Sequence, residues 1–215
     1  MKLIFCLEFV FMISVLAGNA QQKQIVQNSS LRSGDFLFCG STSGALSQAI
    51  DEVTQTNQET HFSHIGIVEV MEDSVWVLHA APKKGVCRES LMQFLAAQDE
   101  GSSIHIYRLS EKYRPAIPEA LRKAHSFLGQ EYNFSYILND KGMYCSEFIF
   151  ELFSDFSIFE LNPMTFKNPQ TGEFSKGWID HYSKLGIEIP EGEPGCNPNG
   201  MAASNKLEKI GELSF

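Results

Sequence analysis

Residues Ser63–Ala81 read SHIGIVEVMEDSVWVLHAA. Two runs rich in β-branched and aromatic residues flank an acidic break at Met71-Glu72-Asp73, a pattern that predicts an antiparallel hairpin. With the turn centred between Met71 and Glu72, Val70 faces Asp73, Val68 faces Val75, Gly66 faces Val77 and His64 faces His79. Directly opposed residues leave a sheet from the same face, with Cβ atoms ~4.5–5.5 Å apart, so this register makes two imidazoles neighbours. Met-Glu lacks the Gly or Asn that two-residue hairpin turns favour, and a slip of one residue would send one histidine to the opposite face. Gly66, between the two, leaves room for close approach of another group. Taken alone, His64 reads as an ordinary structural histidine.

Outward from the hairpin, SGDFLFCGS supplies a turn at Ser33–Asp35 and a short apolar strand, Phe36–Cys39. Residues Ser41–Glu52 carry Ala45, Leu46, Ala49 and Ile50 at helical spacing, with Thr42 or Ser43 as cap. After PKKG, Val86 and Cys87 continue as a short strand, Glu89–Ala97 reads as helix, and SSIHIYRLS as a further strand. Pro118 opens a helix that runs to Phe127 and stops at Gly129. Beyond about residue 157 the chain turns rich in Asn, Pro and Gly, with SKGWIDHYSKLG as a short helix and Leu207–Phe215 as a last strand or coil, which predicts a wrapping segment. The order of elements defines an α+β class with an antiparallel sheet or small barrel packed against helices.

The segment KGMYCSEFIFELF, Lys141–Phe153, places Cys145 just ahead of an apolar stripe formed by Phe148, Ile149, Leu152 and Phe153. A helix beginning near Tyr144–Ser146 puts the thiol beside unpaired backbone N–H groups and the positive end of the dipole, both of which favour thiolate. The other reading is a buried thiol that fills space. A nucleophilic cysteine needs a base, and that base needs a third group to fix its tautomer; Cys145, His64 and His79 are the residues for those roles. The remaining histidines fall in less telling places: His61 in a loop, His105 on a strand, His125 on a helix surface and His181 in the C-terminal region.

The first twenty residues, MKLIFCLEFVFMISVLAGNA, have a basic start, an apolar run broken by Glu8, and small residues at Gly18 and Ala20. They read as a signal peptide cleaved after Ala20, which makes the protein exported, periplasmic or extracellular. Residues 21–215 are then the size of one domain. No segment is long enough to cross a bilayer, and a formal net charge of −9 argues against nucleic-acid binding. Cys39, Cys87, Cys145 and Cys196 show no close metal-ligand spacing, so neither a metal nor another cofactor is expected.

Several stretches, in order, carry a resemblance: GDFLF at Gly34, FSHIGIV at Phe62, VWVLHAA at Val75, IHIYRL at Ile104, FLGQEYNFSY at Phe127 and YCSEFIFELF at Tyr144. Together they resemble the permuted papain-like amidases of the YiiX and YaeF type, within the NlpC/P60 group, over Gly34–Phe153. The tail EGEPGCNPNGMAAS resembles that family's C-terminal segment more loosely. His64 precedes Cys145, the order of the permuted branch. The resemblance implies a circularly permuted papain-like fold in which Cys145 attacks an amide or ester carbonyl and His64 acts as base, then acid. It implies that His79 orients His64, where many relatives carry glutamate and lecithin-retinol acyltransferase relatives a second histidine. The Cys145 backbone N–H is an implied oxyanion donor, and Tyr144 a candidate substrate contact. The expected partner is a small peptide or acylated amino-acid compound, peptidoglycan fragments included. A lipid acyltransferase or thioesterase, or an inactive binding module, are the alternatives.

Overall fold

The computed structural model describes residues 31–56, 60–99 and 102–213. The predicted signal segment, residues 1–20, lies outside them. The chain runs β1 (Phe36–Gly40), α1 (Ala45–Val53), β2 (Phe62–Met71), β3 (Ser74–Ala81), β4 (Gly85–Ser90), α2 (Leu91–Ala96) and β5 (Ile104–Leu109). A 3-10 turn, Glu111–Ala116, leads into α3 (Ile117–Ser126), followed by α4 (Cys145–Leu152). Then come β6 (Asn162–Pro163), α5 (Lys176–Leu185), β7 (Pro194–Gly195), α6 (Pro198–Ala202) and β8 (Leu207–Leu213). Six strands form one antiparallel sheet in the order β4-β3-β2-β1-β5-β8, and β6 pairs with β7 apart from it.

The sheet is covered on both faces, which explains why β1 is apolar throughout rather than alternating. Phe36, Phe38, Ile65, Ile67, Leu78 and Ala80 face α4 and join its Phe148, Ile149 and Leu152 in one core. Leu37, Cys39, Val68, Val77, Ile104 and Ile106 face the other way, onto Leu91, Phe94 and Leu95 of α2. The α4 stripe is fully buried, each such side chain contributing roughly 1.5–3 kcal/mol. Among the described residues no helix is long and apolar enough to cross a membrane.

Three boundaries depart from the sequence expectations. The hairpin turns on Glu72–Asp73, so Met71 pairs with Ser74, Val70 with Val75 and Val68 with Val77. The register is displaced by two, not one, and a displacement of two preserves the face. Glu72 takes φ 51°, the left-handed conformation that a two-residue hairpin turn demands even without Gly or Asn. Residues Glu89 and Ser90 are strand, not helix: β4 pairs with β3 as far as Trp76 opposite Ser90. Ser90 then caps α2 through a capping box with Gln93, a Ser-x-x-Gln signature present in the sequence. Helix α1 starts at Ala45 rather than Ser41, because Thr42 N–H bonds Ser47 Oγ (2.8 Å) and Ser43 Oγ bonds Asp99 Oδ2 (3.2 Å). Neither side chain caps the helix.

Candidate active site

The approach to Cys145 is built by two crossings of backbone. Val86 N–H bonds Gln130 O (2.8 Å), and Met143 N–H bonds Glu131 O (3.0 Å). Gly85 and Gly142, at φ 66° and 86°, make these crossings close enough that a Cβ would lie 2.0 Å from Gln130 O and 2.2 Å from Glu131 O. The segment GQEY is thereby held between β4 and the residues leading into α4, fixing the helix start relative to the sheet edge. Glu147 reaches back to the Tyr144 N–H (3.1 Å) and takes Asn133 Nδ2 (3.1 Å). Burial pushes the Glu147 carboxyl above its ordinary range.

Cys145 is the first residue of α4 and is buried, 5% exposed. The β2–β3 ladder closes at Ile67 opposite Leu78, while β3 continues with β4 to Ala81. The two strands separate there, and the Ile65 N–H, instead of continuing the ladder, bonds the Cys145 sulfur. Burial pushes the thiol up to about 11, against the opposing hydrogen bonds from the N–H groups of Ile65, Ser146 and Cys145 itself. The expected thiolate-favouring environment is thus present but outweighed, because removing a charge from water costs more than these donors return.

His64 precedes Ile65 and projects from the opposite face of β2, beside Phe94 of α2 (ring centroids 6.1 Å). Its Nε2 lies 2.8 Å from His79 Nδ1. The pairing comes from the split in the sheet together with Gly66, whose missing Cβ would lie 3.3 Å from the His79 Cβ. Burial lowers the His64 pKa to about 3, the neighbouring His79 adding to the effect and Glu89 opposing it. Among the described residues no hydrogen bond joins His64 to Cys145. Their link is the shared backbone: the residue after His64 donates to the sulfur.

The sequence reading missed Glu89. It is buried on β4, with Oε2 2.9 Å from His79 Nε2 and Oε1 bonded by the Lys84 ammonium. The bond from His79, then that from Lys84, holds its carboxyl down at about 2 despite burial. The signal was strand alternation: His79 pairs with Cys87, so Glu89, two residues on, shares that face, provided β4 is not cut short at Cys87. Cys87 Sγ lies 3.4 Å from His79 Nε2. The donor atoms of His79, Cys87 and Glu89 fall within 4.8 Å of one another, a convergence that linear spacing could not disclose. A metal ion there would have to take the His79 Nε2 lone pair and so break its hydrogen bond to Glu89 Oε2, which already satisfies both groups, so these residues do not fit a resident metal as they stand.

The other named residues are placed as follows. Tyr144 is 2% exposed; its hydroxyl accepts the Cys196 N–H (3.3 Å), and with Cys145 it lines a cavity of about 380 Å³. Ser146 Oγ donates to Cys196 O (2.9 Å), so the first turn of α4 grips the C-terminal tail from two sides. Asn199, fully buried, accepts the Phe62 N–H (2.9 Å) and donates to Phe62 O (3.2 Å), standing in for a neighbouring strand at the start of β2. The tail therefore walls the cavity. His61 pairs with Asp51, His105 with Glu212, His125 with Glu69, and His181 donates to Phe134 O. The four described cysteines are free thiols.

This order of elements and this cleft are those of a permuted papain-like hydrolase. Residues 30–211 match the family model described as permuted papain-like amidase enzyme, YaeF/YiiX, C92 family, and the chain belongs to that family. It is similar in fold to a crystal structure of the metalloprotein yiiX from Escherichia coli O157:H7, with a TM-score of 0.66 and 20% identity over 83% of this chain and 95% of that one. No curated protein matches. The family is one of amidases, so the coarse activity is amide hydrolysis.

Proposed function

We propose that the protein is an exported cysteine amidase in which Cys145 is the nucleophile, His64 the base and His79 its orienting partner. One observation carries the reading: the split between β2 and β3 brings the sulfur of Cys145 onto the N–H of the residue next to His64, whose Nε2 is already tied to His79. The resting pair is neutral thiol and neutral imidazole, so proton transfer accompanies attack. The sulfur bonds the carbonyl carbon and the carbonyl electrons move onto oxygen; the thiol proton goes to His64 Nδ1, which requires the start of β2 to turn that nitrogen toward the sulfur as substrate binds, because at rest the ring stands beside Phe94 on the other face of the strand. We assign the backbone N–H of Cys145, at the start of α4, as a donor to the charge that forms there. Collapse breaks the C–N bond and the amine leaves with the proton from His64. Water then adds to the thioester, giving a proton to His64; loss of the acid returns that proton to the sulfur.

The cavity beside Cys145 is walled by Ile158, Phe159, Met164, Phe166, Trp178 and Met201. Such a lining suits a small acylated amino-acid compound, with the apolar acyl group in the cavity, better than a polar cell-wall peptide. The test is a panel of N-acyl amino acids, γ-glutamyl-diamino acid peptides and fatty acyl esters assayed with the native protein and Cys145→Ala. Hydrolysis of the first class, lost in the variant, is expected. Turnover by Cys145→Ala would end the reading, and ester preference would favour a lipid acyltransferase or thioesterase. For export, the mature chain should begin at Gln21; a retained Met1 would contradict it.

A further inference from the structure

The geometry points to Glu89 as the positioning residue that sets the tautomers of both histidines in series and so leaves the lone pair of His64 on Nδ1. The inference rests on the hydrolase reading for its catalytic meaning, but its structural content stands alone. In a neutral imidazole one nitrogen donates and the other accepts, so a single fixed hydrogen bond at one end determines the direction of every bond behind it.

That fixed end is the carboxylate. The Glu89 side chain is 7% exposed, with Oε2 2.9 Å from His79 Nε2 and Oε1 on Lys84. The ammonium can only donate, and an ionised carboxylate can only accept. Both neighbours of Glu89 must therefore supply protons, so His79 carries its hydrogen on Nε2. Cys87 Sγ, 3.4 Å from the same nitrogen, is a second, weaker acceptor of that N–H. His79 Nδ1 is then a lone pair, and at 2.8 Å it accepts from His64 Nε2. His64 in turn holds its hydrogen on Nε2 and a lone pair on Nδ1, the nitrogen with no partner among the described residues. The Glu89 carboxyl, held down at about 2 and so ionised at neutral pH, agrees with this order. Reverse the first bond and every later one reverses: His64 Nδ1 becomes an N–H and cannot take a proton from a thiol. A second histidine thus orients the base as a carboxylate would because a carboxylate stands directly behind it.

Glu89→Gln is the decisive variant. The Lys84 ammonium repels an amide N–H2 and attracts an amide oxygen, so the amide oxygen faces the ammonium and the amide nitrogen donates to His79 Nε2, inverting both rings. The native protein, labelled with 15N-histidine and observed at neutral pH, should show protonated Nε2 and unprotonated Nδ1 on both His64 and His79. Glu89→Gln should show the opposite tautomers and a kcat lower by about a hundredfold to ten-thousandfold, the range for a base held in the wrong tautomer. Its KM should be little changed, since Glu89 does not line the cavity. A proton on His64 Nδ1 in the native protein overturns the inference, and this holds even if the variant fails to fold. So does a folded Glu89→Gln that keeps the native tautomers, or one that inverts them at unchanged kcat. Should the native protein hydrolyse no amide at all, the hydrolase reading falls while the spectrum still tests the proton order.

Discussion

The state of Cys145 before substrate arrives can be measured by alkylation. Its thiol is pushed to about 11 from an ordinary 9.0, a difference of about two that corresponds to roughly 3 kcal/mol and a ~100-fold smaller thiolate fraction at pH 7. Iodoacetamide, which uses no base from the protein, reads that fraction directly. With peptide mapping to separate the four thiols, the Cys145 rate should climb about tenfold per pH unit from pH 6 to pH 10. It should show no plateau, and at pH 7 it should sit far below that of a small-molecule thiol. Cys87, raised to about 11 by burial and then by Glu89, should follow the same slope. Replacing His64 by Ala should leave the Cys145 alkylation rate nearly unchanged while abolishing turnover, because on the proposed mechanism His64 takes the proton only during attack. A plateau between pH 5 and pH 8 with a rate above that of a free thiol would refute the reasoning. It would mean that thiolate and imidazolium are already formed at rest.

Three further outcomes follow from the same contacts. The unfolded chain binds a proton at His64 near 6.5 and the folded chain only near 3, so acid favours unfolding and stability is lost as pH falls below 6.5. Between pH 7 and pH 5 the native protein should lose about 2 kcal/mol more than His64→Gln in urea titrations. Gly142→Ala would place a Cβ 2.2 Å from Glu131 O at φ 86°, whereas Gly129→Ala, at φ 87°, meets nothing within 4 Å. The second should cost about 1–2 kcal/mol for its left-handed backbone; the first should cost more and also lower kcat by shifting the start of α4, as thermal melts and initial rates will show. Asp35 is buried and bonds Arg108 at 2.6 and 2.8 Å, so Asp35→Ala should cost about 3–5 kcal/mol in a denaturant midpoint by stripping a buried guanidinium of its carboxylate.

What the sequence disclosed follows from which interactions are local. The α4 stripe and the alternation in β2 and β3 are periodic, so the helix, the hairpin and the shared face of His64 and His79 were legible from the residues alone. The face survived a wrong turn because parity, not register, decides it. The end of β4 was not legible by the same means: Glu89 looks like a helix former until one counts from its pairing with β3, and its partners Lys84 and His79 are contacts of tertiary structure. Nor could spacing show that β2 and β3 part beyond Ile67, which is what admits the α4 start. The wall supplied by Cys196 and Asn199 is invisible for a simpler reason. A Pro- and Gly-rich segment carries no periodicity, and its order comes from side chains meeting backbone groups more than fifty and one hundred positions away.

Two uses were expected of the helix start at Cys145, ionising the thiol and donating to an oxyanion, and the proposed mechanism keeps only the second. A helix N-terminus contributes at most about 2 kcal/mol to a nearby anion, and here burial exceeds that, leaving the sulfur protonated. The same N–H groups nonetheless keep their direction when a carbonyl enters the cavity. On the proposed mechanism, charge then develops on an oxygen held against preorganised donors, while the proton leaves for a base whose lone pair is fixed from behind. Donors too weak to ionise the resting thiol can still act on the transition state, because only there does negative charge lie within their reach without bulk water to compete. A resting thiol is also the less oxidisable form. On this proposal, burial at Cys145 withholds reactivity from small electrophiles and oxidants and releases it to a substrate that fills the cavity and completes the site.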